Sequence, residues 1–208
     1  MTGLERLVVA SGNPGKLAEI RALLAPLSIE VLAQGELGIA DAEEPHHTFL
    51  ENALAKARHA SAAAKLPALA DDSGICVDAL GGAPGVDSAY YAGREGNREE
   101  RDARNNAKLV AALANEPRKT AHYACVMVLV RHPGDPLPLV AEGRWRGEIV
   151  AAPRGANGFG YDPYFLLPAL GRTAAELDAA EKNRVSHRGR ALARIVEQLR
   201  AQLQDPEG

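Results

Sequence analysis

Leu7-Val8-Val9-Ala10-Ser11-Gly12-Asn13-Pro14-Gly15-Lys16-Leu17-Ala18-Glu19-Ile20-Arg21-Ala22-Leu23-Leu24 is the stretch from which the fold can be read. Leu7 to Ala10 is a short β-branched run, and beyond the Gly- and Pro-containing segment Leu17, Ile20, Leu23 and Leu24 recur at helical spacing. Strand, loop and helix in that order open an α/β unit. The loop places backbone N–H groups and the Lys16 ammonium at a helix N-terminus, which suits phosphate. It is not a P-loop, because Leu17 stands where the G-x-x-x-x-G-K-[ST] pattern needs a magnesium-binding hydroxyl. An ordinary turn with a solvated lysine would read the same way.

Outward from this unit, Ile29 to Ala33 reads as a second strand, followed by an acidic loop, Asp41 to His47, and a helix from about Thr48 to Ala64. The inward stripe of that helix is expected to be Leu50, Ala53, Leu54, Ala57 and Ala60. Pro67 to Ala70 reads as a strand that ends at Asp71-Asp72-Ser73-Gly74, before the apolar run Ile75 to Leu80, and Gly81 to Gly85 is a turn. Asn97 with Glu100 resembles a capping box, and Ala103, Ala107, Val110 and Ala114 continue that helix to Pro117. Ala121 to Arg131, nearly unbroken in its apolar character, predicts a central strand buried on both faces. Pro133 to Pro138 turns the chain, and Leu139 to Val150 is expected to return antiparallel. Gly155 to Asp162 is loop-like and Thr173 to Ala180 a short helix, while His187 to Leu203 carries Ala191, Leu192, Ile195, Val196, Leu199 and Leu203 on one helical face. Residues 204–208 are expected to fray. Crossover helices together with a hairpin give an α/β fold with a mixed central β-sheet flanked by helices; strand order is not readable.

The 208 residues suffice to bury about 70% of the unfolded surface, and 46% hydrophobic with 25% charged residues is the balance of a globular chain. A formal net charge of −3 argues against a nucleic-acid partner, since tracking a phosphate backbone needs clustered Lys and Arg. The dense basic stretches, Arg98 to Arg104 and Lys182 to Arg194, are interleaved with acids or apolar residues and read as solvated helix faces. Cys76 and Cys125 lie in apolar strand-like runs and are expected to be reduced structural thiols. The longest apolar run, Tyr123 to Val130, is too short to span a bilayer, and with no basic-then-apolar leader the expectation is a cytoplasmic protein without a membrane partner.

Three further groups carry chemistry. Glu43-Glu44 and Asp71-Asp72 supply carboxylates from separate segments, as a magnesium–nucleotide site requires, while either pair alone reads more readily as a solvated loop. Neighbouring side chains on an extended backbone point to opposite sides, so Asp71 and Asp72 should play different roles. Gly158-Phe159-Gly160-Tyr161-Asp162-Pro163 holds aromatics between glycines, either as a flat surface for a base or as a cap on the core. Lys182 and Ser186-His187-Arg188 bring cations and directional donors to another helix start, as would a commonplace Ser N-cap before basic residues.

Together, SGNPGK, EEPHHTFLENALAKAR, LPALADDSGICVDALGGAPGVDSAYYAG, GANGFGYDPYF and EKNRVSHRGRAL resemble, in order, the ITPase family of noncanonical purine NTP pyrophosphatases, from Leu7 to about Leu199. The resemblance implies one elongated ITPase-like α/β domain over residues 1–208, with two lobes, a nucleotide cleft between them, and a homodimer. It implies magnesium-dependent cleavage of ITP, dITP and XTP between the α- and β-phosphates, releasing the monophosphate and pyrophosphate. Carried over by position, the loop Ser11-Gly12-Asn13-Pro14-Gly15-Lys16 would hold the triphosphate, with Lys16 stabilising the leaving pyrophosphate. Asp72 would be general base and metal ligand, and Glu44 the second ligand with Glu43 its rival. Lys56 would reach the phosphates, Ser73 would help hold the substrate, Phe159, Gly160, Tyr161 and Asp162 would embrace base and sugar, and Lys182, His187 and Arg188 would complete the base pocket. Pro14 and His46-His47 read as tolerated variation. A 6-oxo purine presents an acceptor where adenine presents a donor, so a donor such as Arg188 would accept the first and reject the second. The competing readings are a Maf-like pyrophosphatase for modified pyrimidine nucleotides and a nucleotide-binding module without turnover.

Overall fold

The strand–loop–helix opening forms as read: β1 is Arg6–Val9, and α1, Pro14–Leu24, starts with Pro14 in its first turn and Asn13 as its N-cap. This computed structural model describes residues 4–204 of the chain. Then follow β2 (Glu30–Ala33), α2 (Phe49–Ala64), β3 (Ala68–Val77), α3 (Arg98–Ala112), β4 (Thr120–Val130), β5 (Leu139–Ile149), β6 (Phe165–Leu167), β7 (Arg172–Thr173), α4 (Ala179–Val185) and α5 (His187–Gln204). The strands form a seven-stranded mixed sheet in the order β2-β1-β3-β4-β5-β6-β7. β1 runs parallel to β2, Leu7 opposite Val31, and to β3, Val8 opposite Ala68, whereas β6 is antiparallel to β5 and to β7. The expected mixed central sheet of an α/β fold is therefore present, with β4 at its centre.

The chain groups into two compact units, one comprising the chain up to Asp72, Cys125–Gly143 and the chain from Arg190 on, the other Ser73–Ala124 and Arg144–Gly189. In the first, the strands are buried on both faces. Leu7, Val9, Val31, Leu69, Cys125, Met127 and Leu129 pack with Leu17, Ile20 and Leu24 of α1 and with Ala191, Leu192, Ile195, Val196 and Leu199 of α5. The alternate residues Val8, Ala10, Ala68, Ala70, Val128 and Val130 pack with Ala53, Ala57 and Ala60 of α2. Period-two alternation along each strand thus serves two helical layers, and the small alanine face lets α2 approach closely. In the second unit one core gathers Ile75 and Val77 of β3, Leu109 and Leu113 with α3, Tyr123, Trp145, Phe165 and Leu177.

Several expectations need correction. β3 does not end at Asp71-Asp72 but runs unbroken from Ala68 to Val77; two carboxylates sit mid-strand because each meets a lysine, which offsets their loss of water. Leu50 is 44% exposed, and Asn52 takes the inward place in α2 instead. α3 stops at Ala112 rather than continuing to Pro117, and its buried face carries Asn105, Asn106 and Leu109, with Leu113 buried just after it. Asn105 turns inward because its Oδ1 accepts from Ala92 N at 2.7 Å and its Nδ2 donates to Ala89 O at 3.2 Å. The Asn97–Glu100 capping box is present. Thr173 ends β7 and α4 begins only at Ala179, capped by Asp178, so 173–180 is not one helix; β6 and β7 were not foreseen. Gln204 is helical, while residues 205–208 and the Leu203 side chain lie outside the described residues.

Between β4 and β5 the wholly buried Asp135 accepts from Arg131 N at 2.9 Å, Arg131 Nε at 2.8 Å and Leu137 N at 3.0 Å. Hydrogen bonding by the Arg131 side chain holds its carboxyl well below the ordinary carboxylate range. Asp135→Ala is expected to cost about 2 kcal/mol at neutral pH, read by urea unfolding. A carboxyl depressed in the folded state stabilises above its unfolded pKa of about 3.9 and stops doing so as pH falls through its folded value. The gap between variant and wild type should therefore narrow in acid.

Candidate functional site

The loop after β1 is organised by its own polar side chains. Ser11 Oγ accepts from Asn13 N at 3.2 Å, and Asn13 Oδ1 accepts from Gly15 N at 2.9 Å and Lys16 N at 3.3 Å, capping α1. Lys16, in the first turn of α1, sends its Nζ to both oxygens of Asp71 at 2.7 Å. The phosphate loop of the sequence reading is thus tied to the acidic strand, with Asp71 as counter-ion of its lysine.

Asp72, next along β3, faces α2. Lys56 Nζ lies 3.1 Å from Asp72 Oδ1 and 3.3 Å from Glu44 Oε2, so one ammonium joins the strand carboxylate to the acidic loop. The buried Asn52 completes the link: its Oδ1 accepts from His46 N at 3.0 Å, and its Nδ2 donates to His46 O at 3.2 Å and Asp72 Oδ2 at 3.2 Å. Both glutamates of that loop are exposed, and Glu44 is the one whose carboxylate meets Lys56. Burial raises the Asp72 carboxyl above its usual value and Glu44 adds to this, against the opposing pull of Lys56 and Asn52. Burial alone would lower the Lys56 ammonium, but Asp72, Glu44 and Asp71 together hold it above the ordinary lysine value. Burial thus leaves the Asp72 carboxylate more ready to take a proton than an exposed one, against the opposing effect of Lys56.

Within the second unit, Ser73, Phe159, Gly160, Tyr161, Asp162, Lys182, His187 and Arg188, which the sequence spread over more than a hundred residues, line one cavity of about 330 Å³. The aromatic pair divides the two readings it left open. Tyr161 belongs to the core, its hydroxyl donating to Ser88 O at 2.8 Å. Phe159 is 44% exposed, with the Arg98 guanidinium 4.5 Å and Lys182 Nζ 5.1 Å from its ring centroid. Asp162 is buried, accepts from Phe159 N at 2.8 Å and Tyr123 Oη at 3.2 Å, and pairs with Lys182. Burial pushes the Tyr123 phenol well up, so it remains a donor. His187 stacks on Tyr123 at 4.7 Å and 10°, and Arg188 donates to Ser73 Oγ at 3.0 Å. Gly158 is required here: at φ +76° a Cβ would sit 2.1 Å from Asp162 Oδ2. The sequence reading missed Arg98, Arg101 and Asp102 of α3, which also line the cavity. They were taken for a solvated face, and only the Asn97 cap that fixes where α3 begins hinted at their register.

With this geometry in place, the comparisons with known proteins are specific. The sequence pattern of the Ham1 family matches residues 7–198. The chain belongs to the Ham1 family. A relative from Ralstonia nicotianae named dITP/XTP pyrophosphatase is 66% identical over 95% of this chain and 98% of its own, and one of the same name from Nitrosomonas europaea is 62% identical over 94% and 95%. The solved structure of a HAM1 protein from Coxiella burnetii superposes with a TM-score of 0.89 at 47% identity, covering 94% of this chain and 98% of that one.

In this Ham1 chain, no group of three or more His, Cys, Asp and Glu side chains gathers as a metal site among the described residues. Glu44 and Asp72 nevertheless fit a hard divalent cation. Both are oxygen donors converging on a point where a cationic group already sits, and magnesium is usually held by one or two carboxylates together with substrate phosphates. Among the described residues no helix is long and apolar enough to cross a membrane. Because Asn52 carries both the acidic loop and Asp72, Asn52→Ala should lower stability by about 1–3 kcal/mol and depress activity beyond what the fraction unfolded explains. Thermal melting beside turnover measured below the melting transition checks this.

Proposed function

We propose that this Ham1 chain hydrolyses noncanonical purine nucleoside triphosphates, ITP, dITP and XTP, to the monophosphate and pyrophosphate. The observation that carries the reading is local to the first unit: Lys56 joins Glu44 and Asp72, while Lys16 at the tip of the capped loop holds Asp71. The names of the close relatives, dITP/XTP pyrophosphatase, support the same reaction here.

In this reading the loop Ser11–Lys16 holds the triphosphate and Glu44 with Asp72 hold magnesium, which supplies charge neutralisation on the phosphate oxygens. Asp72 accepts the proton of a water whose oxygen attacks the α-phosphorus. The bond from that phosphorus to the α–β bridging oxygen breaks, and pyrophosphate leaves with the bonding pair. Lys16 and Lys56 stabilise the charge on the departing group. Asp71, facing the other way, keeps Lys16 aimed. Phe159 and Asp162 take the base and sugar, and Lys182, His187 and Arg188 read the 6-oxo group, leaving an adenine amino group without an acceptor. Cytoplasmic location and assembly as a homodimer complete the proposal.

A panel of ITP, dITP, XTP, GTP, ATP, dUTP and m5UTP, with pyrophosphate and orthophosphate measured separately, tests the reading. It expects magnesium-dependent pyrophosphate from the first three; preferred turnover of the pyrimidines would favour a Maf-like activity, and binding without product a non-catalytic module. Asp72→Asn should lower kcat by about 10²- to 10⁴-fold while the protein stays folded; near-normal turnover in the folded variant would remove Asp72 from the role of base.

A further inference from the structure

Helix α3 grips the aromatic loop through side chains four residues apart. Arg98 lies over the Phe159 ring, Asp102 Oδ2 accepts from Gly160 N at 3.0 Å, and Asn106 Nδ2 donates to Gly160 O at 2.9 Å. The spacing sets all three on one helical stripe. Asn106 is buried and its Nδ2 also donates to Asp102 O at 2.9 Å, which fixes the direction of its amide. The backbone is therefore held on both sides of Gly160, a residue at φ +62° that has neither a side chain nor a β-strand to anchor it. Immediately before the held point stands Phe159, the half-exposed ring of the cavity; two residues after it stands Asp162, which closes the loop on Phe159 N. Asn106 does not line the cavity and the proposed chemistry gives it no substrate contact; Asp102 does line it, so Asn106 is the cleaner test of the clamp. Both hold the backbone that carries Phe159 and Asp162.

We propose that Asp102 and Asn106 are positioning residues that clamp Gly160 and thereby set base affinity, with α3 as the rail that aligns the base-recognition loop. The proposal rests on the reading of the second unit's cavity as the base pocket. Removing one donor or acceptor from the clamp frees the loop without altering any group that meets phosphate, so KM for the nucleotide should move and kcat should not.

Asn106→Asp is the sharpest probe, since it keeps the shape and replaces the donor to Gly160 O by an acceptor. It is expected to raise KM for ITP about tenfold with kcat within about twofold. Inhibition by inorganic tripolyphosphate, which has no base, should stay at the wild-type constant. Hydrogen exchange over residues 158–161, read by mass spectrometry, should accelerate. Asp102→Ala should also raise KM for ITP and speed exchange over residues 158–161, while Asp102→Asn, whose amide oxygen still accepts from Gly160 N, should restore most of the affinity. Unchanged KM and unchanged exchange in Asn106→Asp would overturn the clamp, as would weakening of ITP and tripolyphosphate by the same factor, which marks a merely structural role. Should the wild-type chain release no pyrophosphate from ITP, the functional reading fails, and the exchange measurement still decides whether the clamp exists.

Discussion

Consecutive residues of a β-strand cannot face the same way, and the site in the first unit is built on that constraint. Leu69 and Asp71 share the face of β3 that α1 covers; Ala70 and Asp72 share the face that α2 covers. Each helix then supplies one lysine, Lys16 from the first turn of α1 and Lys56 from the middle of α2. A one-residue slip of β3 against β1 would exchange the two carboxylates and send alanines into the leucine layer. The apolar alternation that fixes the strand's register therefore also fixes which aspartate meets which cation.

The electrostatic cost of this arrangement explains its form. Two carboxylates mid-strand, both nearly covered, would be prohibitive alone, and pairing offsets only part of their loss of hydration. Burial still leaves Asp72 with a raised proton affinity despite the lysine beside it, and the three carboxylates around Lys56 hold its proton more tightly than usual. Such a cluster is poorly explained as a stabilising device, because well-packed apolar residues would serve better. It is well explained as a place where positive charge is wanted between two oxygen donors. Lys56 marks that place, and Asn52 keeps the acidic loop there by its backbone rather than by charge.

Much of this was legible in the chain. The β1–α1 unit, the central strand β4 and the apolar face of α5 follow from periodicity, and the opposite facing of Asp71 and Asp72 from strand geometry alone. What was misread shares one physical cause, which is that polar side chains took places that pattern reading reserves for apolar ones. Asn52 displaced Leu50 from the inward face of α2, and Asn105 and Asn106 are buried on α3, where the sequence showed no apolar signal. Each buried amide bonds a group outside its own helix, Asn52 the His46 backbone and the Asp72 carboxylate, Asn105 the Ala92 N–H and Asn106 the Gly160 carbonyl, and helical periodicity does not reveal such partners. Arg98, Arg101 and Asp102 were hidden for the same reason: a charged helix face looks solvated until the loop it serves is known. β6 and β7 span only three and two residues, too short to show a period.

The central claim is that Glu44 and Asp72 bind one cation while the Ser11–Lys16 loop binds the phosphates that share it. The direct measurement is a crystal structure of the chain with magnesium and an ITP analogue carrying an imido group between the α- and β-phosphorus atoms. The account predicts metal density between the Glu44 and Asp72 carboxylates, phosphate oxygens on that metal and on the loop from Ser11 to Lys16, and Lys56 turned toward phosphate. Metal or phosphates seated away from these residues, with Lys56 still bridging the two carboxylates, would contradict it.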